Sequence, residues 1–191
     1  MKLIVAVVGL IICAACGARG PSYSEAEFPA RTVTVSGEQF AYRVYIPPNR
    51  QEGAQLPVML YLHGSNRHGT DNQSQLADLY ENIEGFPQNW NFIVVVPQCR
   101  DNTFWAGPMM DQAIAALDAT VKEFGGDEDR LYLAGYSMGG FGAWQTAITY
   151  PWKFAAIIPV AGGVEHIGEP SEHEKALLSA QAAAAASAPN V

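Results

Sequence analysis

Residues 129–142 read DRLYLAGYSMGGFG, and this stretch decides the fold. The apolar run from Leu131 to Ala134 is typical of a buried strand, and the residues from Met138 to Tyr150 favour an amphipathic helix. Between them, glycine stands two residues before and two residues after Ser137. Small neighbours of this kind permit a very tight strand-to-helix turn. The sequence therefore predicts that Ser137 projects above the end of a strand, at the start of a helix.

A serine in that position has the geometry of a nucleophile, with its hydroxyl at the positive end of the helix dipole. Attack on an acyl carbonyl creates an oxyanion, which needs hydrogen-bond donors. The predicted donors are the backbone N–H groups of Met138 and of Ser65, which follows the apolar strand ending at His63-Gly64. We expect His63 to fix that loop rather than to act in catalysis. The alternative, a glycine-rich turn with a capping serine, accounts for the motif but not for its strand-helix context.

Strands and helices alternate on both sides of this motif. Residues 32–35 and 40–46 alternate as half-buried strands do, and Ser36-Gly37-Glu38 predicts a hairpin turn between them. Further strands are predicted at 58–62, 92–96, 131–134 and 155–160, and helices at 73–84, 110–124 and 138–150. This order indicates an α/β fold, with a mostly parallel sheet flanked by helices.

The composition excludes several classes of protein. The 191 residues are 49% hydrophobic, close to the globular average, and only 16% are charged, which argues against a disordered or fibrous chain. Eleven Lys and Arg against nineteen Asp and Glu give a formal net charge of −8, so no nucleic-acid partner is expected. Cys99 is the only cysteine after residue 16. Neither a disulfide framework, a metal site nor a cofactor is therefore predicted.

The first eighteen residues have the features of an export signal. Met1 and Lys2 precede an apolar run from Leu3 to Ala15, which is too short to span a bilayer comfortably. The run ends in small residues before Cys16 and Gly17, which resembles a bacterial lipoprotein signal with Cys16 as the lipidated residue. Residues 19–30 are then expected to be a linker.

Other readings of this segment stay open. The lipoprotein signal usually has leucine where this chain has Cys13, so ordinary cleavage near Gly17 or Ala18 is an alternative, as is a buried N-terminal strand or helix. The prediction is an exported protein, either a cell-envelope lipoprotein or a periplasmic or extracellular protein. Membrane attachment would come only through a lipid on Cys16.

Four blocks of sequence, taken in order, resemble the α/β-hydrolase superfamily: residues 61–65 (YLHGS), residues 94–99 (VVVPQC), Trp105 and residues 129–142. The resemblance covers about residues 31–163. Within the superfamily it points to bacterial secreted esterases and predicted peptidases similar to feruloyl esterases and polyhydroxybutyrate depolymerases. It implies that Ser137 is the nucleophile and that Met138 and Ser65 provide the oxyanion donors. Gln98 and Trp105 would lie on loops at the carboxyl edge of the sheet, as structural residues.

The chain departs from the superfamily where the catalytic triad should be completed. There the acid and the histidine follow the serine, in that order, after two further strands. Residues 164–191 instead form a polar and then alanine-rich tail without an aspartate, so we expect a domain truncated after the strand ending near Ala161. Four glutamates and two histidines within residues 165–174 still permit the order. Among them His166 is the best candidate for the base.

Two functions of different classes fit these observations. The first is a carboxylic ester hydrolase, acting on a small-molecule or polymeric ester through an acyl-enzyme on Ser137, with peptide hydrolysis as a variant. The second is a catalytically incomplete fragment or non-enzymatic binding relative. In that case the chain would be nearly inactive and would expose an open apolar edge at residues 155–160. The sequence predicts neither the particular ester nor an oligomeric state.

Overall fold

A computed structural model of the chain describes residues 27–79 and 90–164. Its strands are β1 (Ala30–Val35), β2 (Glu38–Tyr45), β3 (Val58–Leu62), β4 (Ile93–Pro97), β5 (Leu131–Tyr136) and β6 (Ala156–Val160). Its long helices are α1 (Pro108–Phe124) and α2 (Met138–Thr149). The strands form one sheet in the order β1-β2-β4-β3-β5-β6, in which β2 is antiparallel to both neighbours and the others are parallel. The predicted α/β class with a mostly parallel sheet is confirmed.

The predicted hairpin joins β1 to β2 through Ser36 and Gly37. Their φ angles are 51° and 85°, which is the positive-φ pair that suits a two-residue hairpin turn. The packed structure starts before β1, because Phe28 is 1% exposed and its ring centroid lies 5.5 Å from that of Tyr45. Phe28 is thus packed, and the carbonyls of Glu27 and Pro29 accept backbone hydrogen bonds from Ile46 and Val44, although these residues fall within the stretch that the sequence suggested was a linker.

The two faces of the sheet are covered by different segments. Helices α1 and α2 pack on one face, in a core that includes Leu60, Ile93 and Val95. The other face packs against Phe28 and the segment around Leu76, in a core that includes Val94 and Val96. Alternate residues of β4 therefore enter opposite cores and all are buried, which explains the unbroken apolar run in its sequence. Of the helix predicted at 73–84, Ser74–Leu76 form a 3₁₀ turn and residues 77–79 are helical, while residues 80–84 lie outside the described residues.

Strand β6 is the outermost described strand on its side of the sheet. Ile158 and Val160 are each 49% exposed, unlike the residues of the central strands. Pro159 pairs with Gly135 of β5 and has no N–H to offer a further strand. The predicted tail, residues 164–191, lies outside the described residues from residue 165 onward.

Candidate active site

Ser137 lies in the turn between β5 and α2, as the sequence predicts. Its φ of 54° and ψ of −117° are rarely adopted by a residue that has a Cβ atom. Three hydrogen bonds hold this conformation: the Ser137 N–H donates to the carbonyl of Val160 at 2.9 Å, and the Ser137 carbonyl accepts from the N–H groups of Gly140 at 2.8 Å and Phe141 at 3.1 Å. The side chain makes no capping hydrogen bond to α2, so the capping-serine interpretation is wrong.

The glycines beside Ser137 are required by close backbone contacts. A Cβ atom on Gly139 would lie 1.8 Å from the carbonyl oxygen of Leu62, and one on Gly135 would lie 2.0 Å from the carbonyl oxygen of Gly139. Neither glycine has a positive φ, so the requirement is for space rather than for conformational freedom. The first turn of α2 therefore rests directly on the end of β3.

The loop after β3 comes to the same edge of the sheet as Ser137. Leu62 pairs with Gly135, and a Cβ atom on Gly64 would lie 3.4 Å from the carbonyl oxygen of Tyr136. Ser65 is exposed and begins a 3₁₀ turn, Ser65–Arg67, while Met138 is the first residue of α2. The first N–H groups of a helix have no partner within it. The structure thus brings both predicted donor residues to the edge that carries Ser137, and their action as oxyanion donors stays a prediction.

His63 lies fully buried beneath the loop that carries Ser65. Its Nδ1–H donates to the carbonyl of Gly64 at 2.8 Å, and its Nε2 accepts the N–H of Cys99 at 2.9 Å. Burial lowers the pKa of His63 to about 4, because the charged ring would lose its hydration. His63 is therefore a neutral residue that joins the loops after β3 and β4, which agrees with the expected structural role.

The free energy of unfolding should fall in mild acid because of His63. The unfolded chain has the ordinary histidine pKa of 6.5, whereas the folded value is about 4, so the unfolded state binds a proton first as the pH falls. The stabilisation is complete above about pH 6.5 and is lost as the pH falls towards about 4, a change of about 3 kcal/mol. Urea unfolding at several pH values measures this slope. His63→Gln should remove the part of this pH dependence that comes from His63, and His68→Gln should keep it. If the free energy of unfolding depends on pH equally in both variants, His63 is not its source.

The loop between β3 and β4 is anchored by polar contacts that the sequence did not indicate. The Arg67 guanidinium pairs with the Asp78 carboxylate at 2.5 Å. The side-chain amide of Gln98 donates to Asp71 at 2.8 Å and accepts the N–H of Asn72 at 2.8 Å. Burial would raise the pKa of Asp71, but hydrogen bonds from neighbouring N–H and O–H groups hold it well below its usual range. Gln98 thus ties the loop between β3 and β4 to the end of β4, and its structural role stays a prediction.

The described residues do not supply Ser137 with a histidine partner. The ring of His63 is bonded to backbone on both sides, and Nε2 of His68 donates to the carbonyl of Thr103 at 2.9 Å. His166, the predicted base, lies outside the described residues, as do the glutamates of residues 165–174.

Within residues 27–79 and 90–164 no group of three or more Asp, Glu, His or Cys side chains is placed to hold a metal ion. No helix in those ranges is long and apolar enough to cross a bilayer.

Comparison with known proteins identifies the architecture. The sequence model of the prolyl oligopeptidase family matches residues 102–184. The crystal structure of a thermostable esterase is 28% identical, with a TM-score of 0.67 over 73% of this chain and 42% of that one. The chain belongs to the α/β-hydrolase superfamily. This confirms the resemblance that was based on four blocks of sequence.

Two curated relatives of this α/β-hydrolase are distant and much longer. An uncharacterized secreted protein of Arthroderma benhamiae is 30% identical over 152 residues, which are 71% of this chain and 16% of that protein. A bifunctional acetylxylan esterase/xylanase of Neocallimastix patriciarum is 28% identical over 130 residues, which are 62% of this chain and 17% of that protein. The chain spans about a sixth of the length of these relatives. Two of the matched proteins are named as esterases, the thermostable esterase and the acetylxylan esterase/xylanase, and the chain is similar to part of each.

Proposed function

We propose that this α/β-hydrolase is an exported serine hydrolase that cleaves carboxylic esters through an acyl-enzyme on Ser137. The observation that carries the proposal is the strained backbone of Ser137, held by Val160 and Gly140 at the end of β5. Strain of this kind persists only where the surrounding structure imposes it, and it concentrates at functional sites. Similarity to a thermostable esterase and to an acetylxylan esterase/xylanase supports an ester as the substrate class.

In the proposed reaction, Ser137 Oγ attacks the carbonyl carbon of the ester while a base accepts its proton. The N–H groups of Met138 and Ser65, with the N-terminus of α2, stabilise the negative charge on the carbonyl oxygen. Collapse of this intermediate breaks the bond to the alcohol, which takes the proton from the base. Water then attacks the acyl-enzyme with the help of the same base and releases the acid. His166 is the proposed base.

A peptide is the second candidate substrate, favoured by the match of residues 102–184 to the prolyl oligopeptidase family. Amide hydrolysis would use the same nucleophile and oxyanion donors, but the leaving amine must be protonated by the base. Parallel assays of a short acyl ester and a peptide amide distinguish the two substrates. Cleavage of neither would favour the non-catalytic binding relative.

The direct test of the function is covalent labelling with a fluorophosphonate probe, followed by peptide mapping. Such probes phosphonylate an activated serine, so the label should map to Ser137 and should be lost in Ser137→Ala. A label on Ser65 or Ser74 instead would contradict the proposal, because neither lies in a strand-to-helix elbow.

Export with a lipid on Cys16 is the proposed localisation. The similarity to a secreted protein of Arthroderma benhamiae supports export in general. Mass spectrometry of the mature protein from a bacterial host should find an N-terminus at Cys16 that carries acyl chains. Cys16→Ala should yield a chain without lipid. A chain that begins at Met1 would contradict export, and an unlipidated chain that begins at Gly17 or Ala18 would contradict the anchor alone.

A further inference from the structure

We propose that Trp105 is a positioning residue that fixes the two halves of the oxyanion site relative to each other. One half is the loop that carries Ser65, and the other is the first turn of α2, which carries Met138. The proposal rests on the proposed function, since it assigns Trp105 to the same site. Trp105 follows β4 along the chain and belongs to neither half.

Trp105 contacts the loop half through a hydrogen bond. The indole Nε1–H donates to the carbonyl of His63 at 2.9 Å, two residues before Ser65. The indole ring also meets the His63 ring edge to face, with centroids 5.0 Å apart. Because Trp105 is only 2% exposed, this hydrogen bond is shielded from water and its loss would leave a buried carbonyl without its donor.

Trp105 contacts the helix half through close packing. A Cβ atom on Gly142 of α2 would lie 2.4 Å from Cβ and 2.9 Å from Cγ of Trp105. Gly142 is therefore the residue that lets the helix backbone approach the indole. The position of the indole thus limits the position of α2, which begins directly after Ser137.

The carbonyl that accepts from the indole also lies beside the first turn of α2. A Cβ atom on Gly139, in the first turn of α2, would lie 2.9 Å from that carbonyl oxygen. The indole N–H therefore holds the carbonyl at the point where the loop and the helix meet. Oxyanion donors must be placed to within a fraction of an ångström, and a displacement of about 1 Å can cost roughly a hundredfold in rate. Trp105 should consequently affect kcat without touching the substrate.

Trp105→Phe tests the proposal, because it keeps an aromatic ring and removes the N–H donor. We expect kcat for a short acyl ester to fall roughly ten- to a hundredfold, with KM changed less than about twofold. Trp90→Phe is the matched control, since Trp90 packs on Phe92 at the opposite end of β4, with ring centroids 5.1 Å apart. It should leave kcat unchanged. An equal loss of kcat in both variants, or a loss confined to KM, would overturn the proposal.

Hydrogen exchange gives a readout that does not need turnover. In Trp105→Phe, amide exchange should accelerate in both residues 62–67 and residues 137–142, while the β1–β2 hairpin keeps its protection. If the unsubstituted chain shows no hydrolysis, the proposed function fails, but this exchange pattern still decides the role of Trp105. If amide exchange accelerates in only one of these two segments, or in neither, the proposed role of Trp105 is overturned. If Trp105→Phe does not fold, 3-benzothienylalanine at position 105 retains the shape of indole, replaces N–H by sulfur and allows the same measurements.

Discussion

Ser137→Ala should abolish fluorophosphonate labelling and reduce ester turnover to what the oxyanion site alone can provide. In serine hydrolases whose catalytic residues act as a unit, loss of the nucleophile costs roughly a millionfold in turnover. The expectation follows from the turn between β5 and α2, which holds Ser137 in a strained conformation with no capping hydrogen bond. Turnover with a 4-nitrophenyl ester of a short acid, before and after the substitution, measures the loss.

Ser74→Ala is the control for this experiment. The Ser74 hydroxyl donates to the carboxylate of Asp71, so its removal perturbs a loop without removing a nucleophile. We expect Ser74→Ala to keep both turnover and labelling. Full labelling that persists in Ser137→Ala would refute the assignment of the nucleophile.

The double change of His166 and His173 to alanine identifies the source of the base. If the tail supplies it, turnover should disappear while Ser137 and the fold are retained. Turnover that survives this change would show that His166 is not the base. A chain that hydrolyses no ester even without substitutions would instead fit the incomplete relative.

Gly139→Ala should disrupt both the fold and the site. The new Cβ atom would lie 1.8 Å from the carbonyl oxygen and 2.5 Å from the carbonyl carbon of Leu62, which are backbone atoms that no rotamer change can move. Either β3 or α2 must shift, and overpacking of a well-packed interior typically costs about 1–3 kcal/mol, occasionally more. We expect a loss at or above the top of that range in the free energy of unfolding, measured in urea, and loss of labelling at Ser137.

Gly163→Ala is the matched control for the crowding at Gly139. Its new Cβ atom would meet Cε1 of Phe141 at 3.4 Å, an ordinary van der Waals contact. The free energy of unfolding should therefore change by less than about 0.5 kcal/mol. A Gly139→Ala variant as stable and as readily labelled as Gly163→Ala would mean that the first turn of α2 does not rest on β3.

The order of strands and helices could be predicted because each element has its own pattern of apolar residues in a short stretch of sequence. The strand predicted at 92–96 is observed at Ile93–Pro97, and the helix predicted at 110–124 is observed at Pro108–Phe124. Strands covered on both faces carry unbroken apolar runs, and ends of elements shift by one or two residues because capping is weakly encoded. The elbow at Ser137 was also predictable, since the glycines, the strand and the helix that shape it all lie within about twenty residues.

The sequence by itself thus determined the α/β class and the position of Ser137, because both depend on neighbours along the chain. Only the tertiary structure decided how that serine is supported. The hydrogen bond from Cys99 to His63 joins residues 36 apart, and the one from Trp105 to His63 joins residues 42 apart. Contacts such as that of Gly139 with the carbonyl of Leu62 depend on atomic distances across the sheet. Residue types and spacing do not specify such distances, because they arise only when separate strands pair and pack.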